Sequence, residues 1–138
     1  MRRITVLLVS VCLLAVGAVG CSESYDESAK DCAAALSEKT GDDSADIPTV
    51  SEAKERIDGF DKVLADMVRS GYESAAKDAL DMVEKKAQDG GKSRPETCEP
   101  LSEDDYNALL MAKAIGGLEW TGEGGEFDKL KMVESLGD

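Results

Sequence analysis

Carboxylates are the chemically capable side chains that this chain offers in quantity, because it contains 29 acidic residues and no histidine. Without histidine it lacks the ordinary proton acceptor near neutral pH and the commonest metal ligand. Asp42, Asp43 and Asp46 could bind calcium weakly, but they lack the spacing and the closing glutamate of an EF-hand loop. The segment 40–46 is therefore predicted to be a solvated linker, with cation binding as the alternative.

Several short motifs resemble fragments of catalytic sites without completing one. Residues 51–54 and 39–41 match two elements of penicillin-recognising serine enzymes, but they stand in reverse order and close together. Residues 91–93 resemble the end of a phosphate-binding loop, yet Lys86 occupies the position where that loop needs glycine. The sequence therefore predicts no catalytic residue, no metal site and no cofactor. A glycosidase-like pair among the many carboxylates is a weaker alternative.

The N-terminus carries a different chemistry, a candidate site of lipid attachment. Met1-Arg2-Arg3 precedes an apolar run from Ile4 to Gly20 that is shorter than the ~20 residues of a membrane span. Small residues then lead to Cys21, a pattern typical of a cleavable export signal. The segment resembles the signal peptide and lipobox of bacterial lipoproteins, although Ala18 stands where that family usually has leucine. An ordinary secretory signal with an incidental cysteine is the alternative, and a basic n-region fits Arg2-Arg3 better than a twin-arginine signal.

This resemblance implies a location for the protein. Residues 1–20 would be the signal peptide, and Cys21 would become the first residue of the mature chain and carry a diacylglyceryl group with palmitate-type acyl chains. Two acyl chains anchor a protein stably to a membrane. The expected location is thus the outer, extracytoplasmic face of the cell membrane. The small acidic domain is similar to lipoproteins of high-GC Gram-positive bacteria of the Streptomyces type, a likeness of composition that implies no activity.

Charge restricts the partners of the mature chain. Loss of residues 1–20 removes Arg2 and Arg3 and none of the acidic residues, so the formal charge changes from −13 to −15. Such a domain repels nucleic acid and anionic lipid headgroups, both of which need a basic surface. Nucleic acid is therefore excluded as a partner, and a protein of the cell envelope is the expected one.

The remaining cysteines suggest a structural crosslink. Cys12 would be lost with the signal and Cys21 would be lipidated, which leaves Cys32 and Cys98 in an oxidising compartment. One disulfide between them is predicted, and its long loop would stabilise the fold by about 4 kcal/mol in the chain-entropy model. A metal or redox pair is disfavoured because there is no CxxC spacing and no histidine.

Helical spacing of apolar residues recurs along the mature chain. The stripes are Tyr25, Ala29, Cys32, Ala33 and Leu36; Val50, Ala53, Ile57, Phe60, Leu64 and Met67; Tyr72, Ala76, Ala79, Leu80, Val83 and Ala87; and Phe127, Leu130, Val133 and Leu136. A capping box is expected at Thr49 and Glu52, and another at Ser24 and Glu27. Residues 88–101, rich in glycine and proline, read as a loop. The apolar stretch 108–115 predicts a central helix.

These elements predict an all-α fold, a small bundle of four or five helices joined by one disulfide. The expected organisation is a signal peptide at 1–20, a short lipidated tether at 21–25 and one acidic helical domain at 26–138. Ser24, the first capping candidate, follows Cys21 by three residues, a reach of only about 10 Å, so the domain would sit close to the bilayer. Tyr106 and Trp120 could be ligand platforms, but burial in the core is the expected role for Trp120.

The sequence supports three classes of function. The leading expectation is a non-enzymatic binding or scaffolding lipoprotein near the bilayer. A small-ligand or cation-binding lipoprotein is the alternative, for which the acidic charge is the only support. An enzyme that uses carboxylates is the third.

Overall fold

The computed structural model describes residues 20–44, 46–122 and 126–137, with side chains from residue 24 onward. This part of the chain is all-helical and carries no named strand, as predicted; an isolated antiparallel bridge joins Thr121 and Phe127. The helices are α1 (Gly20–Thr40), α2 (Val50–Arg69), α3 (Glu73–Gly90), a 3₁₀ turn (Glu96–Cys98), α4 (Glu103–Gly116) and α5 (Lys129–Leu136).

The predicted start of α2 is confirmed. The Thr49 hydroxyl accepts a hydrogen bond from the Glu52 amide at 3.3 Å, and the Glu52 carboxylate accepts one from the Thr49 amide at 2.8 Å. This capping box satisfies two of the amides that every helix N-terminus leaves unpaired. At the other end, Gly71 adopts a φ of 89° in the tight connection to α3, a conformation that glycine reaches without steric cost.

The central position predicted for α4 is also confirmed, since α4 packs against α1, α2 and α3. Leu109, Ala112, Ala114 and Ile115 are fully buried. The predicted apolar stripes of α1 and α2 face this helix, apart from partial exposure at their edges. α4 therefore fixes the relative positions of the other three long helices.

The disulfide between Cys32 and Cys98 is present, with a Cα–Cα distance of 4.7 Å and both residues fully buried. It joins α1 to the 3₁₀ turn. Arg94 holds the same turn from outside, because its guanidinium donates hydrogen bonds to the Cys98 carbonyl at 2.7 Å and the Leu101 carbonyl at 2.6 Å. The segment 91–101 is thus ordered by covalent and polar contacts although it has little regular structure.

The start of α1 differs from the expectation. The helix begins at Gly20, so residues 21–25, predicted as a tether, belong to it, and Ser24 lies inside the helix and does not cap it. The carbonyl of Ser24 accepts a hydrogen bond from the Ser28 hydroxyl. Tyr25 packs against the core, and its hydroxyl donates a hydrogen bond to Asp105 on α4, so this turn of α1 is held against the bundle.

Candidate binding surfaces around the C-terminal helix

A buried ion pair orders the connection between α1 and α2. Lys113 on α4 and Asp42 have side chains 0% and 1% exposed, and the ammonium lies 3.0 Å from the carboxylate. Lys113 also donates a hydrogen bond to the Asp46 carbonyl at 2.6 Å. The Asp42 carboxylate accepts a second hydrogen bond from the Ser44 amide at 3.1 Å. Lys113 therefore holds the connection at two points, Asp42 and Asp46.

The environment of Asp42 keeps it ionised. Burial alone would raise the pKa of Asp42, but hydrogen bonds from Ser44 and from Lys113 outweigh it and hold the pKa below its ordinary value. An unpaired charge at this depth would be strongly unfavourable. The position of Lys113 inside an otherwise apolar helix thus requires Asp42 opposite it.

The prediction of a solvated linker at residues 40–46 is wrong for Thr40 and Asp42, which are 2% and 3% exposed. The three candidate calcium ligands are separated in their contacts: Asp42 binds Lys113, Asp46 pairs with Arg56, and Asp43 is exposed. Within the described ranges, no three carboxylate or cysteine side chains come together as a metal site. Asp42 and Asp46 have different cationic partners, because Lys113 supplies the positive charge that balances Asp42 and Arg56 pairs with Asp46.

A groove of about 900 Å³ opens beside this ion pair. Its walls come from the α1–α2 connection, the end of α4 and α5. The lining residues are Gly41, Asp42, Asp43, Ser44, Gly116, Leu118, Glu119, Trp120, Thr121, Lys131, Glu134 and Ser135. Since Asp42 is neutralised by Lys113, the charges that remain are three carboxylates, on Asp43, Glu119 and Glu134, against the single ammonium of Lys131. The groove is therefore anionic.

Trp120 joins the groove to the core. It is 1% exposed, stacks on Phe60 with ring centroids 6.2 Å apart, and donates its indole N–H to the Ser135 hydroxyl at 2.8 Å. Its expected burial is confirmed. The preceding residue, Glu119, has a φ of 56°, so the chain turns sharply after α4 and directs the Trp120 ring inward. Trp120 thereby fixes α5 against the bundle and with it one wall of the groove.

Tyr106 is 7% exposed, and Arg94 lies over its ring at 4.5 Å from the centroid. Its buried hydroxyl has no hydrogen-bond partner among the described residues. The hydroxyl has almost no accessible surface, so a bound molecule could not reach it without a rearrangement. Tyr106 therefore belongs mainly to the core and to the contact with Arg94, although it also lines an open pocket of about 630 Å³ between α3 and α4.

The opposite flank of α5 carries a small apolar pocket of about 160 Å³. It is lined by Asp66, Met67, Ser70, Tyr72, Lys129, Leu130 and Val133. Leu130, Tyr72 and Val133 are 80%, 55% and 37% exposed. The apolar spacing predicted that Tyr72 belongs to the buried stripe of α3 and that Leu130 and Val133 belong to the apolar stripe of α5. Both predictions are wrong for these three side chains, which are exposed, and α5 buries Met132 instead.

A polar network joins the second turn of α1 and the first turn of α4 to α2. The Tyr25 hydroxyl donates to the Asp105 carboxylate at 2.5 Å, and the Lys54 ammonium lies 2.8 Å from the same group. Hydrogen bonds from Lys54 and then Tyr25 hold the pKa of Asp105 below its ordinary value. This network is separated from the groove by the length of α1 between Tyr25 and Thr40, about 22 Å at 1.5 Å per residue.

The structure describes only the backbone of the predicted lipidation site. Cys21 lies in the first turn of α1, and its side chain is outside the described residues, as are Cys12 and the signal segment 1–19. Within the part of the chain that the structure describes, no helix is both long enough and apolar enough to span a bilayer.

Comparisons of the chain with protein-family models, curated proteins and solved structures gave no match.

Sequence reasoning missed Lys113 and the groove. The available signal was a single lysine inside the apolar stretch 108–115, which predicts an inward-facing charge once that helix is placed at the centre. Its partner was not predictable, because pairing Lys113 with Asp42 depends on how the connection folds back over α4.

Proposed function

We propose that this protein is a lipid-anchored, extracytoplasmic binding module without catalytic activity. It is attached to the membrane through Cys21 and receives a basic segment of a cell-envelope protein in the groove between the α1–α2 connection and α5. The observation that carries the proposal is the groove itself, a preformed concave surface with a net negative lining. Concave sites of this size are the usual binding sites of small domains.

The negative charge favours a cationic partner both at long range, before contact, and within the groove. The mature chain has a formal charge of −15, which attracts positively charged molecules before contact. Within the groove, the carboxylates of Asp43 and Glu119 would meet lysine or arginine side chains of the partner. Such complementarity mainly determines the rate and the selectivity of association.

The anchor would hold the groove at a restricted height. α1 begins at Gly20, and Tyr25, four residues after Cys21, is already bonded to Asp105 on α4. A body tied this closely to its anchor turns with it, so the groove stays within the length of α1, about 30 Å, of the lipidated residue. The proposed partner is therefore a membrane protein or another protein close to the bilayer.

The proposal of a non-catalytic role rests on the chemistry of the side chains. The chain has no histidine, and the two cysteines of the domain are joined in a buried disulfide. Although burial raises it, hydrogen bonds from Ser44 and Lys113 hold the pKa of Asp42, a carboxyl that lines the groove, below its ordinary value. A carboxyl group that served as a general acid would need a raised pKa.

A second candidate is a small cationic ligand in the same groove. Its volume of about 900 Å³ falls within the range of ligand sites, ~300–1,000 Å³. A protein partner and a small ligand would respond alike to loss of the groove carboxylates. Titration calorimetry with spermidine and with a hexalysine peptide separates them, since only a site for a small ligand would prefer spermidine.

Crosslinking mass spectrometry on native membranes tests the proposal. We expect a reproducible neighbour whose crosslinked segment is rich in lysine or arginine, lost when Cys21→Ala removes the anchor. The double substitution Asp43→Asn/Glu119→Gln should also abolish this crosslink, because both residues are exposed and line the groove.

A matched control removes the same number of charges elsewhere. Glu55→Gln/Asp61→Asn lies on the exposed face of α2 and should leave the crosslink unchanged. If the groove variant still crosslinks to the neighbour as the wild type does, the groove is not the binding site. A neighbour retained by Cys21→Ala would instead show that docking does not need the anchor.

A further inference from the structure

The outward face of α5 combines exposed apolar side chains with charges of both signs. Leu130 is 80% exposed and Val133 is 37% exposed, three residues apart and so on one side of the helix. Tyr72, at the start of α3, adds a 55% exposed ring beside them. Large apolar side chains clustered on a small, highly charged domain indicate a contact surface.

The sequence of α5 is self-complementary in an antiparallel arrangement. When a second α5 runs in the opposite direction, residues near its start lie opposite residues near the end of the first. Leu130 then meets Val133 of the second copy, and Lys131 meets Glu134 of the second copy; each contact occurs twice. Lys131 and Glu134 are both exposed and form no ion pair among the described residues.

We propose that two copies of this chain associate through α5 in a two-fold symmetric, antiparallel contact. Leu130, Val133 and Tyr72 form its apolar centre, and two reciprocal Lys131–Glu134 pairs flank it. A symmetric interface of this kind requires only one self-complementary patch. The Asp66–Lys129 pair, at 3.3 Å, stays within each copy on the other edge of the helix.

The contact is small, which sets its strength. Stable interfaces bury roughly 800 Å² on each partner, more than one eight-residue helix and a tyrosine supply. The association is therefore weak in solution, with a dissociation constant on the order of 10⁻⁴ M. Anchoring of both copies in one membrane raises their effective concentration and favours the dimer.

The contact is located by zero-length carbodiimide crosslinking, which joins amines directly to carboxylates. The processed protein, isolated from its producing cells in neutral detergent, is prepared in isotopically heavy and light forms and mixed. We expect crosslinks between heavy and light peptides at Lys131 and Glu134. Such mixed peptides arise only between copies, whereas a crosslink within one chain joins peptides of the same isotope.

The energetics are tested by charge exchange, measured by sedimentation equilibrium between about 10 µM and about 1 mM. Lys131→Glu and Glu134→Lys should each weaken association on the order of tenfold, because each replaces two attractive pairs by two repulsive ones. The double variant Lys131→Glu/Glu134→Lys should restore it. Leu130→Asp should abolish it, while Glu55→Lys, a control on α2, should not weaken it.

Two outcomes overturn the proposal. One is the absence of mixed-isotope crosslinks together with a single monomeric species at the highest concentration. The other is association that the exchanged double variant does not restore, which would show that the two charges do not meet. Leu130 does not line the groove, so a monomeric Leu130→Asp variant that still binds a basic partner separates failure of this dimer from failure of the groove.

Discussion

The substitution Lys113→Met removes the charge that neutralises Asp42 while keeping a long apolar side chain of similar shape. Lys113 and Asp42 have side chains at most 1% exposed, so water does not replace the lost ammonium. Asp42 keeps only Ser44 as a hydrogen-bond donor, and the Asp46 carbonyl loses its hydrogen bond from Lys113. The variant therefore leaves a buried carboxylate nearly unpaired.

The expected loss is large. Removing one partner of a buried ion pair lowers the free energy of unfolding by about 3–5 kcal/mol, a substantial part of the 5–15 kcal/mol of a typical domain. Removing both partners is far milder, since the cost of burying the charges also disappears. We expect Lys113→Met/Asp42→Ala to come within about 2 kcal/mol of the wild type.

Urea unfolding of the oxidised protein at neutral pH measures both variants. The fluorescence of Trp120, the one tryptophan of the chain, reports the transition because its ring is buried. Lys62→Met, on the exposed side of α2, is the control and should change stability by less than about 0.5 kcal/mol. A Lys113→Met variant within about 1 kcal/mol of the wild type, or a double variant less stable than the single one, would refute the reasoning.

Four further predictions concern other features of the fold. The pKa of Asp42 in the folded protein lies below its ordinary value of 3.8. The stability that ionised Asp42 confers is therefore present above pH 3.8 and is lost as the pH falls through the folded pKa. In an acid titration, Asp42→Asn should lose less free energy of unfolding than the wild type does. Replacing Cys32 and Cys98 by serine should lower the free energy of unfolding by about 4 kcal/mol, and an unchanged urea midpoint would contradict the structural role of the disulfide. Tyr106→Phe should leave stability equal or higher, since the lost hydroxyl has no partner among the described residues; a loss above about 1 kcal/mol would reveal a bound partner. Gly116→Ala should destabilise although alanine favours helices, because its Cβ would lie 2.5 Å from the Asp42 carboxylate; a higher melting temperature would show that the connection moves freely.

The sequence by itself determined the class and the long elements of this fold. Apolar residues at helical spacing specify α1 to α3, because a stripe of that period can be buried only by a helix, and the continuous apolar stretch 108–115 predicted the central helix α4. The capping box at Thr49 and Glu52 located the start of α2 correctly. The pairing of Cys32 with Cys98 followed by elimination and is present in the structure.

The tertiary structure alone decided which way short or ambiguous segments face. α5 has apolar residues on two sides, and burial of Met132 together with the Trp120–Ser135 hydrogen bond selects one, leaving Leu130 exposed. Local spacing cannot choose between such faces, because the choice depends on the space that the other helices leave. The partner of Lys113 is decided in the same way: a buried charge must be neutralised, but only the folded chain determines which carboxylate reaches it.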